Sequence, residues 1–495
     1  MATPIPVNQC AFRLDEVAAA TGGELFGAPE TAVRGVTSDT RTLTRGALFV
    51  ALKGSDRDGH AYLGEAARRG AAAAIVARGC RLAGGERIAA IEVDDTLAAL
   101  GNLARHHLRR IRAAGPFACV AIGGAVGKTS TKELCAAAVR ALCGETLATP
   151  GNLNNLIGVP MTIFLIGERH RAAVLECGTN TRGEIARLAR IVEPDVAAVL
   201  NVDLEHSEGL GSLEEIADEE TALFSTARRA VVASTEEPLV LERVRRGIEF
   251  LTFGAGTDAD VRIAARAPAA AGGAGGGRSR VTLALSPRLV AAGAPARLEI
   301  ALALLGAAAA RNAAAAVAAA AALRARPLEA DELAALARAL ESVAPVAGRL
   351  QMRVFGGLLV LDDTYNANPR SVRAALDAAH ESAATSGTRM VVALGDMLEL
   401  GAFAPAMHTE AVADVMRLAP AAFIAVGPQM DAAVGAAGFA GRAGVHVAPD
   451  SAVAAEIACG LVRAGDVVLV KGSRGIRMER IVEALGKRFG SRTEN

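Results

Sequence analysis

An apolar run, Phe117 to Gly123, leads without a spacer into Gly123-Gly124-Ala125-Val126-Gly127-Lys128-Thr129-Ser130, and a helical pattern begins there. A strand that turns through glycines into a helix brings successive backbone N–H groups and a helix N-terminus to one point, a cradle for phosphate. In such a cradle Lys128 reaches the β- and γ-phosphates and the Thr129 hydroxyl is placed to ligate Mg²⁺. The spacing departs from the common loop: Ile122 stands six residues before the lysine, and the glycine is four before, at Gly124. A tighter variant loop is expected. The alternative is a Gly-rich turn with a surface lysine, but lysine is scarce. Lys53, Lys128, Lys132, Lys471 and Lys487 are the five lysines among 53 basic residues.

Around this loop the chain alternates strands and helices. Ala172 to Glu176 and Asp195 to Asn201 read as buried strands, each followed by a helical pattern, so a parallel sheet is expected. After Pro345 five further strands are suggested, at Leu358–Asp362, 389–394, Ala422–Val426, Val445–Val447 and Val467–Val470. They describe a doubly wound α/β unit whose ligands bind beyond the carboxyl ends of the strands. The Gly/Ala-rich segment 265–280 reads as a flexible loop between strands. Near the N-terminus, residues 46–54 read as a strand.

At 495 residues the chain is long enough for about three domains. Lysine plus arginine equals aspartate plus glutamate at 53 each, so a broad basic surface for nucleic acid or anionic lipid is not expected. Apolar residues at 52% exclude disorder. Seven scattered cysteines without a C-x-x-C pair argue against a disulfide framework or structural zinc. No basic segment followed by an apolar run opens the chain, so a cytoplasmic protein is expected. The Ala-rich stretch 306–323 is interrupted by Arg311 and Asn312 and reads as a helix of the protein, not a membrane span.

A phosphate loop calls for carboxylates at neighbouring strand ends. Glu176 ends the next buried strand and is an expected Mg²⁺ ligand. His206 follows another strand end, in Asn201 to Ser212, and shares that sheet edge.

These residues resemble a known family. Gly124 to Thr129, Thr149 to Phe164, Leu175 to Ile185 and Asn201 to Ser212 are similar to the central domain of the Mur ligases. Leu361 to Leu376, Ala393 to Gly401 with His408, and Lys471 to Leu485 resemble the C-terminal domain of the branch that adds a dipeptide. Val36 to His60 resembles its N-terminal domain. The resemblance implies an α/β fold of three domains. A small UDP-substrate-binding domain spans 1–96, a phosphate-loop parallel-sheet ATPase domain 97–343, and a Rossmann-like ligase domain 344–495. It implies ATP and Mg²⁺ as cofactors, and UDP-N-acetylmuramoyl-tripeptide and D-alanyl-D-alanine as small-molecule substrates joined through an acyl phosphate. It implies no nucleic acid, and a monomer.

By the same resemblance Lys128, Glu176 and His206 are catalytic, and Gly124 to Ser130, Asn312, Arg349 and Asp363 hold the nucleotide. Ser38, Asp39, Thr40 and Arg41 match the uridine-nucleotide loop. Asn154, Asn155, Asn366, Lys471 and Ser473 fall on the substrate side, and Thr129, Glu176, His206 and Glu220 are the metal set.

Three departures stand out. Gly123 and Ala125 replace hydroxyl residues of the family loop. Gly306 to Ala309 replace a G-x-H-N start ahead of Asn312. Glu220 occupies the place where many relatives carry a carbamylated lysine. A carboxylate there either supplies the anionic oxygen directly or is a solvated helical residue, with the metal left to Glu176 and His206.

Rivals are a sister ligase adding the third peptide residue, folylpolyglutamate synthase, a nucleotide-dependent switch, and a pyridine-nucleotide oxidoreductase. The last lacks a G-x-G-x-x-G turn after Leu358–Asp362.

Overall fold

The computed structural model describes residues 3–54, 57–80, 88–204, 207–268 and 277–490. Three main sheets follow one another along the chain, with a two-stranded ribbon, Ala11–Arg13 against Ala32–Arg34, beside the first. The first sheet has five short strands between Glu24 and Val93. The expected strand at 46–54 is there as Leu48–Val50, all three residues buried.

The second sheet has nine strands. Ala118–Gly123 lies between Val196–Val199 and Ala172–Glu176, and all three run parallel. Register pairs Glu176 with Ile122 and Val199 with Gly123, so these strands end at one level. That common edge is where a parallel sheet presents its loops. Apart from Ala118 at the start of the first, each of these strands is buried along its length, as expected when helices cover both faces.

At the far side the sheet turns antiparallel through Val261–Ala267, Ser279–Leu285 and Arg297–Leu302. This corrects the reading of 265–280 as a loop. Ala265–Ala267 and Ser279–Arg280 are paired strand residues, and the Gly-rich centre, 269–276, lies outside the described residues.

The helix Gly306–Arg324 is long and apolar enough to cross a membrane by length and composition, yet 78% of its apolar window is buried inside the protein. It packs on the helix Lys128–Cys143 that leaves the phosphate loop, and it shares a core with that helix through Ala310, Ala313, Ala314 and Val317. Alanine on nearly every side lets helices and sheet approach closely from all directions, which accounts for so apolar a helix without large side chains.

The third sheet has six strands, five parallel and one antiparallel at its edge. The five expected strands are present. The edge strand Gln351–Phe355, half exposed, was not foreseen. Asp363 and Lys471 are register partners at the carboxyl ends of adjacent strands. The helix Pro369–Ser386 starts sharply because the Asn368 side chain accepts the Ser371 N–H and Pro369 holds the first helical position.

Candidate active site

The carboxyl edges of the second and third sheets face each other across a cavity of about 450 Å³. Its walls include Ala125 to Ser130 from the phosphate loop, Asn154 and Glu176 beside them, Asn312, and Arg349, Asp363 and Asn366 from the third sheet.

The loop is held from below and behind. Gly124 and Gly127 have φ of +115° and +92°, a region that strains side-chain-bearing residues. The Gly124 N–H donates to Glu220 Oε2 at 2.7 Å. Asn201 makes a reciprocal pair with Val126: its Oδ1 accepts the Val126 N–H and its Nδ2 donates to the Val126 carbonyl, both at 2.8 Å. Lys128 folds back so that Nζ donates to the carbonyls of Gly124 at 2.5 Å and Ala125 at 3.1 Å. These contacts hold the ammonium over the loop, where a phosphate would meet it. Asn312 packs against the loop from the Ala-rich helix, its Oδ1 2.7 Å from where a Cβ on Gly127 would stand.

Glu176 is 1% exposed. Its Oε1 accepts from Asn154 Nδ2 at 2.9 Å and from the Thr129 hydroxyl at 3.3 Å. Its Oε2 is buried and has no hydrogen-bond partner. A buried carboxylate oxygen left open beside a threonine hydroxyl at a phosphate loop fits a hard divalent cation. Among the described residues, no group of three or more His, Cys, Asp or Glu is arranged to hold a metal. His206 lies outside the described residues.

Across the cavity Arg349 Nη2 approaches the Thr129 hydroxyl at 3.4 Å, and its guanidinium stacks 3.9 Å over the Tyr365 ring. A cation from the third sheet therefore meets the phosphate loop of the second. Lys471, fully buried, donates from Nζ to Asp363 Oδ2 at 2.6 Å and to the Asn366 carbonyl at 2.8 Å. Asp363 Oδ1 accepts the Leu350 N–H, which fixes the backbone just after Arg349. Among the described residues no thiol is poised as a nucleophile at the loop: Cys177, next to Glu176, is fully buried and burial pushes its thiol up.

The same architecture recurs in known proteins. Residues 122–320 match the Mur ligase middle domain, 348–474 the Mur ligase glutamate ligase domain, and 32–108 the Mur ligase family catalytic domain. The chain is 32% identical to the UDP-N-acetylmuramoyl-tripeptide–D-alanyl-D-alanine ligase of Escherichia coli, over 94% of this chain and 96% of that one. The chain belongs to the Mur ligase family. A crystal structure of MurF from Acinetobacter baumannii superposes with a TM-score of 0.85 at 27% identity, covering 97% of this chain and all of that one. MurF from Thermotoga maritima, solved in complex with ADP, shares the fold at TM-score 0.76 and 24% identity, over 92% of this chain and 97% of that one.

The other expected positions of this Mur ligase fall in three places. Ser38 to Arg41 lie in the first sheet's region, where Asp39 caps the short helix Thr40–Thr42 and pairs with the exposed Arg41 guanidinium at 2.6 Å. Asn155 lines the cavity, and its Oδ1 accepts the N–H groups of Ile157 and Gly158. Ser473 is buried off the cavity wall, accepting the Leu398 N–H and donating to the Ala367 carbonyl, so it shapes the loop and does not face the cavity. Glu220 is 3% exposed beneath the phosphate loop, which excludes the solvated alternative.

Asn201 and Tyr365 stand out as residues that the motif reading did not assign. Their signal was position: both are polar and stand two residues past strand ends of the two facing sheets.

Proposed function

We propose that this Mur ligase joins D-alanyl-D-alanine to UDP-N-acetylmuramoyl-tripeptide at the cost of ATP, in peptidoglycan precursor synthesis. The terminal carboxylate of the tripeptide attacks the γ-phosphorus of ATP, giving an acyl phosphate and ADP. The amine of D-alanyl-D-alanine then attacks the acyl carbon. The new amide forms, phosphate leaves, and the amine sheds a proton.

The single observation that carries this reading is the meeting of Arg349 and Thr129 across a cavity that also holds Lys128 and the open oxygen of Glu176. Phosphoryl transfer asks chiefly for positioning and charge neutralisation, and this arrangement supplies both without a covalent nucleophile. Lys128 swings from the loop carbonyls to the phosphates, and Arg349 neutralises the oxygen charge from the opposite side. Gly124 to Ser130 cradle the phosphates, Asn312 faces the adenine end, and Asp363 holds the backbone after Arg349. Thr129 and Glu176 would hold Mg²⁺, with His206 the further ligand that the family motif suggests; the ion, when bound, would supply charge neutralisation for phosphoryl transfer. Glu220 supports the loop. Asn154 and Asn366 face the substrate side, and Ser38 to Arg41 receive the uridine nucleotide.

The three sheets support domains of 1–96, 97–343 and 344–495. The reading keeps a monomer working in the cytoplasm, a compartment with which seven free thiols are consistent.

The test is phosphate release from ATP with UDP-N-acetylmuramoyl-tripeptide present. Release that requires added D-alanyl-D-alanine is expected; release indifferent to the dipeptide rejects the reading.

A further inference from the structure

Arg370 is the second residue of the helix Pro369–Ser386, just past the cavity-lining residues Asn366 to Asn368, yet its side chain is not part of the cavity wall. It reaches instead to the second sheet. Its backbone N–H donates to Asp203 Oδ2 at 3.1 Å, Nη1 to the Val202 carbonyl at 3.4 Å, and Nη2 to Glu237 Oε1. Glu237 is 8% exposed, and its other oxygen accepts the Val202 N–H at 3.2 Å. One arginine and one carboxylate thus hold both backbone groups of Val202.

The segment they hold is the one that braces the phosphate loop. Leu200 N–H donates to the Gly123 carbonyl at 3.1 Å, the Asn201 carbonyl accepts the Ala125 N–H at 3.0 Å, and the Asn201 side chain clasps Val126. Contact is close enough that a Cβ on Gly124 would stand 2.9 Å from the Leu200 nitrogen. A continuous run of hydrogen bonds therefore joins the C-terminal sheet's site loop to the phosphate loop, Arg370 at one end and Val126 at the other.

We propose that Arg370, with Glu237, is a positioning residue for phosphoryl transfer, tying the seating of the C-terminal domain to the setting of the phosphate loop through Asn201–Asp203. The proposal rests on the ligase reading above. Nucleotide can bind the loop whether or not the C-terminal domain is seated, because Asn201 clasps Val126 from within the central domain. The chemical step needs Arg349 brought in as well, and Arg370 helps hold the domain that carries it. Loss of Arg370 should therefore act on kcat more than on nucleotide affinity. Among the described residues the charged partner of the nearly buried Glu237 carboxylate is Arg370, from the other domain, which makes the pair conditional on that seating.

The experiment compares Arg370→Ala, Arg370→Lys, Glu237→Gln and the Arg370→Ala/Glu237→Gln double variant in dipeptide-dependent phosphate release, with ATP dissociation constants measured on the free enzymes. Glu237→Gln keeps an acceptor for the Val202 N–H and creates no cavity, so it reports even if Arg370→Ala folds poorly. Expected are a fall in kcat of tenfold or more in Arg370→Ala and in Glu237→Gln and partial recovery in Arg370→Lys. The double variant should be no worse than the poorer single, and ATP dissociation constants should stay within about threefold of wild type. A kcat within twofold of wild type in Glu237→Gln, or effects of the two substitutions that multiply, would overturn the proposal. Wild-type protein that releases no phosphate in response to the dipeptide strikes the ligase reading instead.

Discussion

Glu220 Oε2 accepts the Gly124 N–H at 2.7 Å and lies 3.1 Å from the place a Cβ on Gly123 would take. The missing side chain at residue 123 and the carboxylate at residue 220 are thus spatially matched. Room opened in the strand end is filled by an acceptor that fixes the loop's first N–H. Glu220→Ala leaves that buried donor unmet, at about 1–3 kcal/mol, and should raise the KM for ATP about tenfold. Glu220→Gln retains an acceptor oxygen and should keep both the KM for ATP and the half-saturating Mg²⁺ concentration near wild type. A Mg²⁺ titration of Glu220→Gln displaced tenfold or more would assign the carboxylate to the metal instead of the loop.

Arg349 presents a flat guanidinium between the Tyr365 ring and the Thr129 hydroxyl. A compact ammonium cannot stack and donate at once, so lysine is not a conservative replacement there. Arg349→Ala should lower kcat by about a hundredfold or more, the range expected for one electrostatic donor at a transferring group. Arg349→Lys should recover only a small part of it. Steady-state assays at saturating ATP read the effect directly, and near-wild-type turnover in Arg349→Ala would remove Arg349 from the chemistry.

Lys471 and Asp363 form a buried pair at the heart of the third sheet's carboxyl edge, with side chains 2% and 13% exposed. Lys471→Met leaves the Asp363 carboxylate without its charge partner, at about 3–5 kcal/mol. The thermal transition should fall by roughly 6 °C or more. Adding Asp363→Asn keeps an acceptor for the Leu350 N–H and should restore much of the loss. Calorimetry of the single and double variants checks the pair, and equal losses in both would show that the cost is one of packing and not of charge.

Much of this arrangement is legible in the sequence, for physical reasons that also mark the limits. Strands such as Ala172–Glu176 are short apolar runs buried on both faces and closed by a polar residue, so composition alone outlines them. The phosphate loop is local, set by glycines and a helix start within a few residues. The ends of the strands Val261–Ala267 and Ser279–Leu285 were read into the loop between them because an Ala/Gly-rich connection blurs the alternation of their sides. Partners were harder still. Asn201 and Val126 are 75 residues apart, Lys471 and Asp363 108, and Arg370 and Glu237 133. A motif can mark each residue as unusual, but only the packing of one sheet edge on another says which meets which. Ser473 was read from its motif as a substrate contact; its buried bonds to Leu398 and Ala367 could be seen only in three dimensions.

His107 gives the protein a specific sensitivity to acid. It is 3% exposed, its Nε2–H donates to the Ile166 carbonyl at 2.9 Å, and its Nδ1 accepts from Arg110 at 3.4 Å. The Phe12 ring stands edge-on at 5.7 Å. Burial, with the neighbouring guanidinium of Arg110, lowers its pKa from 6.5 to about 4. A histidine whose folded pKa is depressed binds fewer protons folded than unfolded between those two values. Its contribution is therefore complete above about pH 6.5 and is lost as pH falls toward 4, by about 3 kcal/mol at most. His107→Gln can still donate to the Ile166 carbonyl but cannot take up the proton. Urea unfolding of wild type and variant from pH 7 to pH 4 should show the wild type losing stability relative to the variant across this window. A stability difference independent of pH would mean that His107 stays neutral at no cost, and that acid acts on the fold elsewhere.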